Sequence, residues 1–525
     1  MRKTLLFLCL SLVLSSCGWF SNKPEIAITL AEHFDNKLYN KFDTLAYYPI
    51  FSKKLDELSS SLSNPKTTTA FYIAGNNDPV LITRFFTNGQ IDSLINYLQI
   101  SRSDGLNPAA FKVTEIEALV KKLKANNFKN IDEVYPIIAE LEIKTADALL
   151  RYTTFMNYGV VNPRNIFNRY YIKVKRPDSL MLDSVLKTKN MVLMLKNAQP
   201  TTEKYLDLKI LLAYYRDSLQ NENDISIQKI KLNMERLRWQ MPIKTEEMVL
   251  VNIPDFSLTW FKKEDTLAHM NVCVGSKREA TYADRMKIFL KTGSLDDKPK
   301  NHETPQLIST FNAIQVNPVW NIPVSIAQSE IYWMARRDPY YLSNSNIRVY
   351  YKGKQIYEPD TIQWNRYSRD QLPFTFKQGS GAGNALGKFK FVFDNSSSIY
   401  LHDTNNKNGF KLKNRAISHG CVRVENPLKF AELMVKDKYQ YDQLRMEINL
   451  PPIDTNRNNQ FQKILAKKND STKVFKLKPS WFGTRKDIAV VIGYYTAWAE
   501  NGKVEFRPDV YEYDSILWDA ISKYV

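Results

Sequence analysis

The chain has 525 residues, 44% hydrophobic and 12% aromatic, with a formal net charge of +18. That length exceeds one ordinary core and that composition excludes a disordered chain, so two or three globular domains are expected. The charge suits polyanionic surroundings such as membrane headgroups, a cell-wall polymer or nucleic acid. The basic residues are spread along the chain, however, and form no dense block.

The first element is an export segment. "MRKTLLFLCLSLVLSSCGWF" places Arg2 and Lys3 before an apolar run from Leu5 to Leu14. The run is too short to span a bilayer and reads as a secretion signal. Leu14-Ser15-Ser16-Cys17 looks like a bacterial lipobox, with Cys17 as the lipid attachment site and residues 1–17 as the signal. The expected location is therefore periplasmic, on a membrane held by the lipid. Cys9 leaves with the signal, so Cys273 and Cys421 remain. A disulfide between them suits an oxidising compartment. A free thiol there needs a functional reason.

Residues 18–245 read as a helical scaffold. Ile138, Leu141, Thr145, Ala148 and Tyr152 fall three or four apart, as do Ile227, Ile230, Met234 and Leu237, each set marking one helix face. Near Met248 the texture changes to alternation, with Phe256, Leu258 and Trp260 on one face. Strand-like runs continue through "IRVYY", "GKFKFVF" and "SIYLHD", giving a mostly-β domain over 246–450. Residues 277–305 read as a charged insertion between strands, and 454–478 as a polar loop. Residues 451–525 form a C-terminal extension packing on the preceding domains. It holds two strands around Asn501-Gly502, a hairpin turn signal, and then a short helix. The fold class is α+β.

One stretch gathers the chemistry. His402 ends the strand "IYLHD", and Ser418-His419-Gly420-Cys421-Val422-Arg423 follows after an Asn- and Lys-rich loop. Cysteine attacks as its thiolate and needs a base within hydrogen-bond reach. His402, on a rigid strand end, and His419, two residues from Cys421, both qualify. Asp403 can fix the His402 tautomer through its side chain or a backbone carbonyl. Gly420 lets the backbone approach a carbonyl, and the Gly420 and Cys421 N–H groups suit an oxyanion. Arg423 suits a substrate carboxylate. A zinc site with Asp403 is the competing reading, although a His-x-Cys pair lacks the usual ligand spacing.

The His402…Ser418-His419-Gly420-Cys421-Val422-Arg423 pattern resembles the active-site signature of L,D-transpeptidases of the YkuD type. "VNIPDFSLTWF", "NPVWNIPVSIA" and "GAGNALGKFKFVF" resemble that family's opening strands, flap segment and the strands before the catalytic loop. "LNMERLRW" and the "YYTAW…VEFRPDVYEYD" tail resemble the YcbB-like subgroup. No small wall-binding module precedes the helix, unlike in larger relatives, and 277–305 departs from the family pattern.

The resemblance implies a thiol-dependent transferase that forms 3→3 cross-links between peptidoglycan stem peptides, with roles in cell wall biogenesis and cell shape and sensitivity to carbapenems. Cys421 is the nucleophile, His402 the base, and His419 shapes the catalytic turn. Tyr400, Asn384, Trp320 and Ser418 become candidate pocket residues beside Arg423. No cofactor, metal or nucleic acid is expected, and the chain is expected to be a monomer. An L,D-carboxypeptidase, a lipoprotein-anchoring enzyme and an inactive wall-binding lipoprotein are the alternatives.

Overall fold

The computed structural model describes residues 23–263, 265–470 and 476–525. The export segment and Cys17 lie outside the described residues.

Helices occupy the chain from Glu25 to Arg238. At their centre is helix Tyr135–Tyr158, in which Ile138, Leu141, Thr145, Ala148 and Tyr152 are all buried. Burial extends round the whole helix and includes Glu142 and Asp147, so it is a hub and not a one-faced surface helix. The Glu142 carboxylate accepts the Leu81 and Ile82 N–H groups at 2.9 and 2.8 Å and the Tyr72 hydroxyl at 2.8 Å. These N–H groups open helix Val80–Phe85 and have no partner within it.

Helix Ile225–Arg238 buries its expected residues Ile227, Ile230 and Met234, while Leu237 is half-buried. Its opposite side carries buried charges that bind the C-terminal extension. Arg236 pairs with Asp514 at 2.6 Å, and the Asn233 amide donates to the Thr496 hydroxyl at 2.9 Å. Removing one partner of such a pair strands a buried charge, so this seam fixes the scaffold against the extension.

The β domain is built on β1 (Glu247–Asn252), β2 (Ser257–Lys262), β3 (Asp265–Gly275), β4 (Leu307–Val316), β9 (Phe389–Phe393), β10 (Leu401–His402), β11 (Ala416–Ser418) and β12 (Val422–Val424). With β14 (Ile488–Gly493), the strand order is β11-β3-β12-β10-β9-β4-β14-β1-β2, and β2 also pairs with β3, so the sheet closes on itself. Its interior holds Val249, Val251, Leu258, Trp260, Ile314, Phe391, Leu401, Val422 and Phe430, all fully buried. Strand β14 (Ile488–Gly493), from the C-terminal extension, lies between β4 and β1, with Val490 opposite Val249. All six of its residues are buried, as the unbroken apolar run "IAVVIG" requires of a central strand. The extension is thus part of the barrel wall and not only packed on it. Its hairpin turns at Asn501-Gly502, both in the left-handed region, as the sequence predicts.

Two segments differ from expectation. Between β4 and β9 the chain forms a cap with its own four-stranded sheet, β5 (Trp320–Ile322), β8 (Phe374–Gln378), β6 (Ile347–Tyr351) and β7 (Lys354–Ile356), in that order. It has a separate core of Ile322, Ile331, Tyr332, Leu342, Val349, Trp364 and Phe376. Within the expected polar loop 454–478, residues Asn458–Lys468 are helical, and Phe461 is the buried residue of that helix.

Candidate active site

The site grows out of the pairing of β10 with β12. These short strands run parallel, with Leu401 opposite Val422 and His402 opposite Arg423. Leu401, Val422 and Val424 point into the barrel core. Side chains alternate across a strand, so Tyr400 and His402 share the other face with Cys421 and Arg423. All four line one cleft of 960 Å³. His402 and Cys421 are diagonal neighbours in this arrangement, with Tyr400 directly across from Cys421. Lys390, opposite His402 on β9, completes the face.

His402 is 5% exposed. Its Nδ1 donates to the backbone carbonyl of Asp403. That bond leaves Nε2 as the lone-pair nitrogen. The Asp403 carboxylate is otherwise engaged, by the Lys388 and Thr404 N–H groups at 2.8 and 2.7 Å and the Lys407 ammonium at 2.6 Å. The carbonyl therefore fixes the tautomer, and the side chain fixes the strand end. Burial, then Arg423 and Lys390, push His402 down to about 3. It is a neutral base.

Cys421 is a free, half-buried thiol. Burial raises its pKa, opposed by the backbone N–H and phenol of Tyr400 and by Lys390 and Arg423. The Lys390 ammonium sits 4.0 Å from the Tyr400 ring centroid. Burial and the adjacent thiol push the Tyr400 phenol up, and Trp320 acts in the opposite direction. Trp320 and Tyr400 both line the cleft. Arg423 has a buried Nε without a hydrogen bond, and its guanidinium pairs with no acid among the described residues. Its guanidinium is thus open to an anionic group in the cleft.

Other residues have different tasks from those expected. Ser418 is buried and clamps the turn: its hydroxyl donates to the Cys421 carbonyl at 2.6 Å and accepts the Gly420 N–H at 3.1 Å. Ser418 thus lines the cleft with its hydroxyl engaged in the turn, and the Gly420 N–H is taken up by that hydroxyl. The Cys421 N–H has no acceptor among the described residues and remains available. Asn384 is 1% exposed and binds backbone: its amide donates to the Pro318 and Gly379 carbonyls at 3.0 and 2.9 Å, and its oxygen accepts the Leu386 N–H at 2.8 Å. It braces the two chain crossings into the cap and does not enter the cleft. His419 reaches across the cleft to Glu330 of the cap, Nε2 to Oε1 2.5 Å.

Sequence reasoning missed the brace beneath the turn. Gly420 has φ +117°, a conformation that favours glycine. A Cβ on Gly275 would lie 1.7 Å from the His302 carbonyl, so three backbones meet there. Thr304 joins them: its hydroxyl donates to the Gly420 carbonyl and accepts the Gly275 N–H, both at 2.8 Å. Tyr511 of the C-terminal extension donates to the Gly275 carbonyl at 2.6 Å and accepts the Thr304 N–H at 3.1 Å. Neither residue carries a sequence signal, because both act on backbone far away in the chain. Lys390 did carry one: it alternates with Phe389 and Phe391 in "GKFKFVF".

The insertion forms one wall of the cleft. Its helix Tyr282–Thr292 buries nothing, and Arg285, Lys298, Lys300 and His302 face the cavity. Arg369 of the cap pairs with Asp296 of the insertion. Among the described residues, no group of three or more His, Cys, Asp or Glu is placed to hold a metal ion, and the zinc reading has no donor set there.

A thiol on one face with a neutral, tautomer-fixed imidazole, with a free N–H and flanking cations, brings together the groups that nucleophilic catalysis uses. Residues 246–446 match the model of the L,D-transpeptidase catalytic domain, YkuD, and residues 66–212 match that of the Scaffold domain. Over these residues the chain is similar to a YkuD catalytic domain behind a helical scaffold. It is also similar to a Haemophilus influenzae protein named "Putative L,D-transpeptidase", with 28% identity over 326 residues. The match covers 59% of this chain and 56% of that relative, so the chain spans little more than half of the relative's length.

Proposed function

We propose that the protein is a peptidoglycan L,D-transpeptidase of the YcbB-like subgroup that forms 3→3 cross-links between stem peptides. The observation that carries this reading is the shared face of β10 and β12, which sets Cys421, His402, Tyr400 and Arg423 in one cleft.

The Cys421 thiol attacks the carbonyl of the third stem residue while His402 Nε2 takes its proton. The Cys421 N–H faces the developing oxyanion. The resulting imidazolium lies beside Lys390 and Arg423, which disfavour it. It therefore hands its proton readily to the departing amine of the terminal D-residue. The C–N bond breaks and a thioester remains. The amine of a second stem attacks the thioester, the C–S bond breaks, and the thiol is regenerated. Arg423 and Lys390 hold the donor's carboxylates during both steps.

The scaffold ahead of the catalytic domain and the β14 tail support the subgroup assignment. The lipobox at Cys17 supports export and lipid anchoring at the periplasmic face of a membrane. Stem peptides are then the partners, reached by a monomer tethered to the membrane. Muropeptide analysis after incubation with defined tetrapeptide stems tests the reading. Cross-linked dimers support it, whereas tripeptides alone would make the enzyme an L,D-carboxypeptidase.

A further inference from the structure

The outer end of the cleft holds a group of side chains that this mechanism leaves without a task. His419 reaches from the catalytic turn to Glu330 on the cap, 2.5 Å from Nε2 to Oε1. Its ring packs on that of His302, with 4.4 Å between centroids. With Nε2–H donated to Glu330, His419 Nδ1 carries a lone pair, and it has no partner among the described residues. Lys300 and Arg169 line the same cleft as His302, His419 and Cys421. Both act electrostatically on His302, and Lys300 also acts on Glu330. The Lys300 ammonium is unpaired among the described residues, and Arg169 commits only one guanidinium nitrogen, to Asn301.

A carboxylate-oriented imidazole and two available cations thus sit together, and His419 is two residues from the nucleophile. Such a set complements a group bearing opposite charges on adjacent atoms. A lone amine would meet Lys300 and Arg169 as like charges, and a lone carboxylate would meet Glu330. An amino-acid end with a free ammonium and a free carboxylate satisfies both.

The second half-reaction supplies the need for it. An aliphatic amine arrives protonated near neutral pH and must lose a proton before it can attack. His402 is buried and serves the thiol. We propose that Glu330, His419, Lys300 and Arg169 form the acceptor subsite, which binds a zwitterionic amino-acid end and deprotonates its ammonium at His419 Nδ1. This rests on the transpeptidase reading above.

The step balances as follows. The ammonium gives one proton to His419, whose imidazolium is held by Glu330. The amine nitrogen bonds to the thioester carbon and the C–S bond breaks. The second nitrogen proton passes by way of His402 to the Cys421 sulfur. The amide keeps the third, and His419 releases its proton to water.

The test follows the fate of the acyl-enzyme made from a defined tetrapeptide donor. Product is read as amide formed against acid released, with a free D-amino acid as acceptor and its carboxamide as control. In Glu330→Gln, the thioester still forms and the amide-to-acid ratio falls at least about tenfold, the low side of a general-base contribution. Glu330→Asp restores part of it. In Lys300→Ala, KM rises for the amino acid but not for its carboxamide. An unchanged ratio in Glu330→Gln, or an equal KM rise for both acceptors in Lys300→Ala, overturns the subsite and leaves the nucleophile assignment intact. A wild-type protein that forms no thioester overturns both.

Discussion

Tyr400 and Cys421 face each other across the β10–β12 pair. The Tyr400 carbonyl accepts the Val422 N–H at 3.2 Å, and the Tyr400 phenol and N–H both act on the thiol. One residue thus sets the register of the nucleophile strand and stabilises the charge that the nucleophile develops. Its position follows from strand alternation: two residues before His402, Tyr400 must share the face of the base.

Tyr400→Phe keeps the ring and the backbone but removes the hydroxyl. A hydrogen bond to a charged group contributes about 1.5–3 kcal/mol. The acylation rate is therefore expected to fall by at least about tenfold, with the fold intact. Stopped-flow measurement of carbapenem acylation, beside a thermal melt, checks both halves of this expectation.

The pH dependence carries a definite sign. His402 is held down to about 3, whereas the unfolded imidazole titrates near 6.5. Between those values the unfolded chain takes up a proton that the folded protein refuses. Stability is therefore full above pH 6.5 and is lost as pH falls towards 3. For the same reason, the acylation rate should not fall through pH 6.5. A rate profile that halves near pH 6.5 in a folded protein would contradict a neutral, buried base. Burial raises the thiol, so iodoacetamide labelling of Cys421 should be slow at pH 7 and quicken towards pH 10.

Thr304→Val strands the Gly420 carbonyl and the Gly275 N–H, both buried. Each unpaired group costs about 1–3 kcal/mol. The melting temperature is expected to drop, and acylation to slow more than a stability loss explains, because the turn bearing Cys421 shifts. Tyr511→Phe removes the bond to the Gly275 carbonyl and should act in the same direction, more weakly. Unchanged acylation in Thr304→Val would show that the turn holds its shape without the brace.

Much of this site was legible in the sequence. The strand "IYLHD", the glycine before the cysteine and the spacing of His402 from Cys421 carry their own local chemistry. Trp320, Tyr400 and Arg423 also reach the cleft. Asn384 lies outside the cleft: a polar side chain serves backbone or substrate equally well by residue type, and only the carbonyls within reach decide between them. The cap was read as a flap because its sheet and core assemble from segments separated by helices and turns. β14 was assigned to an appended tail because sequence order hides that its partners are β1 and β4, far away in the chain. The Asn- and Lys-rich loop is anchored at its end by Arg415, which donates to the Val272 and Phe256 carbonyls and to Asn271, at 3.2, 3.2 and 3.0 Å.

The division of labour between the two histidines is the central claim. His402 is buried, tautomer-fixed and diagonal to Cys421, whereas His419 is bound to the cap. The direct measurement is the rate of covalent adduct formation with a carbapenem, followed by intact mass in wild type, His402→Ala and His419→Ala. Wild type should gain one adduct, on Cys421. His402→Ala should slow it by roughly 10²–10⁴-fold, the range of a positioned base, with His419→Ala far less affected. A folded wild type that gains no adduct, or a His402→Ala that acylates at the wild-type rate while His419→Ala does not, would contradict the account.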